Sequence, residues 1–286
     1  MTEPTSTTGT GNPGPPHSRL AISGLTISFG STPTVYLDSL TVGDGEIVGL
    51  AGESGAGKSL TGLSVLGLTP RMGAWLTGSI RLDGRELLTL PERELRRLRG
   101  GTMALIPQSP ASAFNPLLRV GTVITRALRL HGDTRAQARQ RAEAALERVR
   151  LSKEHLRRYP HQLSGGQLQR VAIALALALG ARFLIADEPT SALDVTVQAE
   201  ILQLLERLRA EEGLSILMVS HDLAALAGLC DRIVVMRDGR VVEDRPTLEL
   251  VTSPNDPYTE ELIDAVPQLG PAPGPAEAGR AGTDDA

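Results

Sequence analysis

The stretch GESGAGKS at residues 52–59 has the residue types and the spacing of a phosphate cradle. It matches G-x-x-x-x-G-K-[ST], in which glycines let backbone amides approach and wrap the phosphates of a nucleotide. In this pattern Lys58 reaches the β- and γ-phosphates, and the hydroxyl of Ser59 holds Mg²⁺. A Gly-rich turn with an incidental lysine is the competing interpretation, which the strand and helix expected around the loop disfavour.

Two carboxylates follow the apolar run FLIA at residues 183–186. Such a run predicts a buried strand, which would present Asp187 and Glu188 at the edge where open α/β sheets bind ligands. Asp187 would support Mg²⁺, and Glu188 would orient and polarise the water that attacks a γ-phosphate. An acidic pair after a strand is often only a helix cap, so this interpretation depends on the phosphate loop earlier in the chain.

Gln108 and His221 also follow apolar runs, MALI and LSILMVS. Each residue alone is more often an ordinary surface side chain. Because both come after expected sheet strands, their side chains would lie beside the γ-phosphate and its attacking water.

Residues 163–170, LSGGQLQR, have the features of a second anion site. Ser164 can cap a helix and Gln167 stands at the reciprocal position of a capping box. Gly165 and Gly166 would let backbone N–H groups come close to a ligand.

The elements that position these residues follow from the hydrophobic pattern. Alternation across residues 20–43 predicts antiparallel strands, whereas the apolar runs at 46–52, 183–187 and 214–220 predict buried strands. The amphipathic segment 197–210 predicts a helix between the last two runs. Strands that alternate with helices indicate an α/β fold with a parallel sheet.

Two further local signals are present. Residues 119–160 carry Arg, Ala and Leu at helical spacing, with Thr134 and Gln137 in a capping-box pattern, and predict a helical insertion. Asp238 and Gly239 lie between two β-branched runs, which predicts a hairpin.

Composition excludes several classes of function. The 286 residues carry a net charge of −4, so no global field draws the chain to nucleic acid. Cys230 is the one cysteine, which excludes an internal disulfide and a zinc or iron–sulfur site built on several thiolates.

Residues 1–18 and 269–286 contain too little apolar surface to repay the entropy of ordering, so we expect disordered tails. We expect no signal peptide at the start. The apolar run 171–181 is too short to span a bilayer.

Taken in order, the phosphate loop, Gln108, LSGGQ, the strand ending at Glu188, SALD at 191–194 and His221 resemble the nucleotide-binding subunits of ABC transporters. The resemblance covers about residues 20–268. It implies a P-loop NTPase (RecA-like) core with an antiparallel β subdomain and an inserted α-helical subdomain, at about 109–161 within a domain of residues 19–268.

The resemblance also implies ATP and Mg²⁺ as ligands and assigns roles to residues. Glu188 would be the general base, His221 would contact the γ-phosphate, and Gln108 would sense the metal and the water. Metal ligation would involve Ser59, Gln108 and Asp187. Phe29 would stack on adenine, with Tyr36 as a poorer alternative. The ATP would lie against Gly52, Glu53, Ser54, Gly55, Ala56, Gly57, Lys58, Ser59 and Leu60. Across a dimer interface, a neighbour's ATP would meet Ser164, Gly165, Gly166, Gln167 and Asp194.

The segments QSPASAFNPLLRVG and SPNDPYTEELIDAVPQL are similar to ATPase subunits of oligopeptide, dipeptide and nickel importers. Asp256 stands where that group commonly has His, and Pro107 where an aromatic residue is usual. Partners implied are a second nucleotide-binding domain, identical or related, transmembrane permease subunits and, indirectly, a solute-binding protein. Such a subunit is peripheral, on the cytoplasmic face of the membrane, and does not bind nucleic acid.

Two alternatives remain at this point. A soluble ABC ATPase acting on nucleic acid or ribosomes usually has two cassettes, a long coiled-coil insertion or a zinc module. A subunit that binds ATP without cleaving it would be expected to lack Glu188, His221 or LSGGQ, and this chain retains them.

Overall fold

The computed structural model describes residues 18–266 of the chain. The two expected tails therefore lie outside the described residues, except that Ser18, placed in the first tail from sequence, begins a strand. The described strands are β1 (Ser18–Phe29), β2 (Thr32–Gly43), β3 (Ile47–Ala51), β4 (Ala74–Leu82), β5 (Arg85–Glu86), β6 (Met103–Ile106), β7 (Phe183–Asp187), β8 (Ser215–Val219), β9 (Arg232–Arg237) and β10 (Arg240–Pro246).

Helices connect these strands. They are α1 (Lys58–Val65), α2 (Glu92–Gly101), α3 (Pro110–Ala113), α4 (Val120–Leu130), α5 (Arg135–Arg148), α6 (Gly165–Leu179), α7 (Val195–Glu212), α8 (Leu223–Ala227), α9 (Thr247–Thr252) and α10 (Pro257–Asp264). Three short 3-10 helices cover Thr69–Met72, Lys153–Arg157 and Pro160–Gln162. None of the helices in residues 18–266 combines the length and apolar character that a membrane crossing requires.

One sheet, in the order β5-β4-β1-β2-β10-β9-β3-β8-β7-β6, joins two kinds of pairing. Strands β9, β3, β8, β7 and β6 pair in parallel, and β5, β4, β1 and β2 pair antiparallel. The expected α/β fold, with a parallel core and an antiparallel β region, is thus confirmed. Strand β10 links the halves because it pairs antiparallel with β9 and, through Arg240, in parallel with Tyr36 of β2.

Burial explains the parallel half. Every residue of β3 and of β8 is buried, as expected for strands covered by helices on both faces. The apolar side chains form two clusters, one around α4–α7 and the adjoining sheet face, the other between the antiparallel strands and α1.

Between β6 and α6 the chain is helical, in the segment where the sequence predicts an insertion. Helices α4 and α5 pack against each other and against α6. The capping box of Thr134 and Gln137 is present: the Gln137 N–H donates to Thr134 Oγ1, and Gln137 Oε1 accepts from the Thr134 N–H. Local chemistry therefore sets the start of α5.

Candidate functional site

The phosphate-loop segment joins the end of β3 to the start of α1. Gly52 has φ 137° and Gly57 has φ 95°, conformations that L side chains rarely adopt. A Cβ on Gly52 would overlap the carbonyl oxygen of Met236, and one on Gly57 would lie 2.5 Å from Val35 Cγ2. Glycine is therefore required at both positions for the backbone to form this narrow loop against β9 and β2.

Lys58 is 5% exposed, and its ammonium lies inside the loop. Nζ donates to the carbonyl oxygens of Gly52, at 2.7 Å, and Glu53, at 2.8 Å. Burial lowers the pKa of Lys58, and the nearby carboxylates of Glu188, Asp187 and Glu53 oppose this effect. The loop thus surrounds a buried cation at the place where phosphate oxygens would bind.

Asp187 ends β7 beside the first turn of α1. Its Oδ1 accepts a hydrogen bond of 2.9 Å from Ser59 Oγ. Burial raises the pKa of Asp187, the Ser59 hydroxyl and Lys58 oppose the rise, and the charge of Glu188 adds to it. A hydroxyl and a carboxylate side by side supply the oxygen ligands that Mg²⁺ prefers.

Glu188 is held on both carboxylate oxygens. Its Oε1 lies 2.8 Å from His221 Nδ1, and its Oε2 accepts a hydrogen bond of 2.7 Å from Gln108 Nε2. Gln108 Nε2 also lies 3.2 Å from Ser191 Oγ. Glu188 itself has φ 46°, a left-handed conformation that turns the chain sharply after β7.

These side chains meet because they follow four neighbouring strands. In the sheet the order is β3, β8, β7 and β6. Lys58 begins the helix after β3, Asp187 ends β7 and is followed by Glu188, and His221 and Gln108 lie in the loops after β8 and β6. This is the edge of an open α/β sheet where ligands bind. The arrangement combines an anion cradle, a metal-suited oxygen pair and a carboxylate oriented by two hydrogen-bond partners.

The LSGGQ segment forms a separate site at the start of α6. Ser164 Oγ accepts from the Gln167 N–H, and Gln167 Oε1 accepts from the Ser164 N–H, both at 3.2 Å. Ser164 and Gly165 are exposed. Throughout residues 18–266, no hydrogen bond joins Ser164–Gln167 to the phosphate loop or to the carboxylates after β7. The predicted second anion site is therefore not hydrogen-bonded to the first within the described residues.

Asp194 lies next to this socket. Its Oδ1 accepts from the Val197 N–H at 3.0 Å and caps α7. A Cβ on Gly165 would lie 3.1 Å from Leu193, and one on Gly166 would overlap Val197. The glycines of LSGGQ thus allow the start of α6 to pack closely on Leu193 of SALD and on Val197 in the first turn of α7.

The other residues singled out from sequence lie around the loop. Glu53, Ser54 and Gly55 are exposed at its outer side, Ala56 is buried, and Leu60 is partly buried in α1. Phe29 ends β1, paired with Thr32 and Ala74, and packs partly against the second core cluster. The ring of Tyr36 lies 4.4 Å from the guanidinium of Arg240.

Two contacts of the site are not predicted by the sequence. Ser191 touches the Gln108 amide, and Tyr258, in α10, accepts a hydrogen bond of 3.0 Å from the Glu53 N–H through its hydroxyl. The DPYT segment that contains Tyr258 carries only a family resemblance in the sequence. Because 205 positions separate Tyr258 from Glu53, no local pattern signals this contact.

The chain matches a known protein family over the segment that carries most of this site. The family model described as ABC transporter matches residues 37–191, which include the phosphate loop, LSGGQ and the carboxylate pair.

Relatives match over most of the chain. A Brucella abortus protein named as a putative peptide import ATP-binding protein is 44% identical over 257 residues, covering 87% of this chain and 77% of that protein. The oligopeptide transport ATP-binding protein OppD of Salmonella typhimurium is 41% identical over 271 residues, covering 92% of this chain and 81% of OppD.

Solved structures share the fold. CbiO1 of Clostridium perfringens, part of the ABC transporter complex cbiONQ, aligns with TM-score 0.74 at 26% identity over 83% of this chain and 92% of its own. The ATP-binding cassette MJ0796, a dimer in a post-hydrolysis state with ADP and Pi, aligns with TM-score 0.67 at 30% identity over 80% of this chain and 98% of its own.

Proposed function

This chain belongs to the ABC transporter family, and from that premise we propose that it is the ATP-binding and ATP-hydrolysing subunit of an importer of peptides or a similar small solute. The ATPase activity follows from the family, and the peptide class rests on relatives named for peptide import and oligopeptide transport. The single observation that carries the proposal is the convergence of Lys58, Glu188 and their partners at one sheet edge.

Each side chain has a task that its geometry suits. Lys58 exchanges the carbonyl oxygens of its own loop for phosphate oxygens when ATP binds, which transfers a charge-assisted contact to the ligand. Glu188 accepts the proton of the attacking water, and Gln108 and His221 fix the orientation of its carboxylate.

The oxygen pair of Ser59 and Asp187 fits Mg²⁺, and Gln108 lies at the same edge as a third ligand. When bound, the ion neutralises charge on the phosphates. Ser59 and Asp187, joined by a hydrogen bond of 2.9 Å, are the residues that would hold the ion.

The LSGGQ socket, of which Ser164 and Gly165 are exposed, completes the site of a second nucleotide-binding domain. Backbone N–H groups at the start of α6 carry partial positive charge and favour an anion. Ser164, Gly165, Gly166 and Gln167 bind the γ-phosphate of ATP on the neighbour's loop, and Asp194 lies at the interface. Hydrolysis removes this contact and lets the two domains separate. The partner domain is identical or a related second subunit.

Permease subunits bind at the cleft beside the Gln108 loop. This cleft has a volume of about 350 Å³ and mostly apolar walls, which include Leu68, Pro107, Phe114, Val123 and Leu175. Apolar grooves of this kind accept an amphipathic helix of a partner. The chain is thereby held peripherally on the cytoplasmic face of the membrane, in a complex that a solute-binding protein supplies.

Purification of the chain with the membrane proteins that accompany it, followed by assays in proteoliposomes, tests the proposal. We expect ATP hydrolysis that rises when peptides and their binding protein are added, with uptake of the peptide. Hydrolysis that is stimulated by ribosomes or nucleic acid, without any membrane partner, would support the soluble alternative instead.

A further inference from the structure

Helix α10, the last helix in residues 18–266, contacts the phosphate loop through Tyr258. The hydroxyl of Tyr258 accepts a hydrogen bond of 3.0 Å from the backbone N–H of Glu53, the second residue of the loop. Tyr258 is 4% exposed, so it is a fixed part of the core. The tyrosine hydroxyl is the only polar part of this buried ring, and it is directed at the loop.

Two side chains hold Glu53, one on each side. Its carbonyl oxygen accepts from Lys58 Nζ at 2.8 Å, and its N–H donates to Tyr258. Under the proposed function, Lys58 turns to the phosphates when a nucleotide binds. The Glu53 carbonyl then loses its partner, whereas the Tyr258 contact does not compete with phosphate and can persist.

Tyr258 is well placed to resist movement of the loop. The guanidinium of Arg237, at the end of β9, lies 4.7 Å from the centre of its ring. The Tyr258 N–H donates to Asp256 Oδ1, the cap of α10, at 2.9 Å. The neighbouring residue of β9, Met236, supplies the carbonyl oxygen that lies against Gly52.

A buried carboxylate anchors the segment before α10. Glu243 of β10 accepts from the N–H groups of Asn255, at 2.9 Å, and Asp256, at 3.2 Å. Hydrogen bonds thus run from β10 through the turn at 255–256 to Tyr258 and the phosphate loop. Tyr258 is therefore held from its own segment and from β9.

We propose that Tyr258 is a positioning residue for the phosphate loop: its hydroxyl keeps the Glu53 peptide in the phosphate-binding shape after Lys58 has moved to the nucleotide. The inference rests on the proposed function, because it assumes that this loop binds nucleotide. It extends that function by making nucleotide affinity depend on helix α10.

The test is Tyr258→Phe in the full chain, which removes one oxygen and keeps the ring, its burial and the Arg237 contact. We expect the Kd for ADP and the KM for ATP to rise roughly threefold to tenfold, the range of one neutral hydrogen bond. The kcat at saturating ATP and the melting temperature without nucleotide should stay close to those of the unmodified chain.

Tyr159→Phe is the matched control. The Tyr159 ring also lies near an arginine, Arg119, at 5.5 Å, and belongs to the helical region between β6 and α6. This variant should leave both constants unchanged.

An unchanged Kd for ADP in Tyr258→Phe would overturn the inference. A higher Kd together with a clear fall in both the melting temperature and the kcat would also overturn it, because that pattern indicates a merely structural role. Failure of the proposed function gives a different result. In that case the unmodified chain would bind ADP but would not hydrolyse ATP, and the effect of Tyr258→Phe on the Kd for ADP could still be measured.

Discussion

At the residue scale, the site keeps a buried cation and a carboxylate pair close together. Lys58 lies on loop carbonyl oxygens, and Glu188 is held by His221 and Gln108. Since burial strips water from Lys58 and Asp187 alike, each depends on its polar neighbours. Replacing Lys58 should therefore weaken nucleotide binding, whereas replacing Glu188 should slow hydrolysis.

We predict that Lys58→Ala weakens ATP binding by roughly tenfold to a hundredfold, because it removes a charge-assisted hydrogen bond to phosphate of about 1.5–3 kcal/mol. Isothermal titration calorimetry with ATP measures this change. Lys153→Ala, at the exposed start of a 3-10 helix, is the control. An ATP affinity that Lys58→Ala leaves unaltered would contradict the assignment of the loop.

We predict that Glu188→Gln retains ATP binding but lowers kcat by about 10²–10⁴, the usual contribution of a general base. The amide keeps the shape of the side chain and cannot take the proton. Single-turnover and steady-state hydrolysis of ATP measure the loss. Glu206→Gln, exposed on α7, is the control, and near-normal turnover by Glu188→Gln would remove this residue as the base.

At the element scale, the C-terminal segment depends on one buried carboxylate. Glu243 is 6% exposed. Burial alone would raise the pKa of Glu243, but the N–H groups of Asn255 and Asp256 and the charge of Arg245 outweigh it and lower the pKa. The folded pKa is thus below the unfolded one, so the stabilisation is present above about pH 4.3 and is lost as pH falls through the folded pKa.

We predict that Glu243→Gln lowers the free energy of unfolding by about 1–3 kcal/mol at pH 7, because the N–H groups of Asn255 and Asp256 lose a charged acceptor. The difference from the unmodified chain should shrink as pH falls below about 4.3. Urea unfolding at several pH values measures it, with Glu261→Gln, exposed on α10, as control. A difference that grows toward low pH would refute the assignment.

Elements whose signals are local could be predicted from the sequence. The apolar run FLIAD predicts a strand at residues 183–187, where β7 lies, and the capping boxes at Thr134 and Ser164 are present. The hairpin signal at Asp238 and Gly239 matches the turn between β9 and β10, where both residues have positive φ.

The elements and contacts that the sequence does not predict involve residues far apart in the chain. The sequence pattern did not reveal β4, which pairs with β1 about 50 residues earlier, or the contact of Tyr258 with Glu53. The same limit applies to the hydrogen bonds of Glu188 with Gln108 and His221, since the shared sheet edge was expected but the bonds themselves were not. Such contacts depend on strand order, which periodicity does not encode.

At the scale of the whole molecule, the described domain ends near α10, whose residues Leu262 and Ile263 pack on the core. We predict that deletion of residues 270–286 leaves ATP hydrolysis within about twofold of the full chain, because a segment of such low apolar content cannot brace the core. Deletion from residue 254 onward is the contrasting variant, because it removes Tyr258 and should weaken nucleotide binding. Loss of folding on deletion of 270–286 would contradict the prediction.

In the proposed dimer, ATP joins two nucleotide-binding domains through the LSGGQ socket. The assembled complex allows a direct measurement when it carries Ser164→Cys in this chain and Glu188→Gln together with its counterpart in the partner domain, because the native thiol of Cys230 is buried. With ATP, the introduced thiol in the LSGGQ socket should become protected from maleimide. When a second cysteine is introduced into the phosphate loop of the partner domain, a short bis-maleimide should join the two thiols in the presence of ATP. Adding Lys58→Ala to this chain, with its counterpart in the partner domain, should abolish both effects. Equal maleimide labelling with and without ATP, and no crosslink to any phosphate loop, would contradict the account.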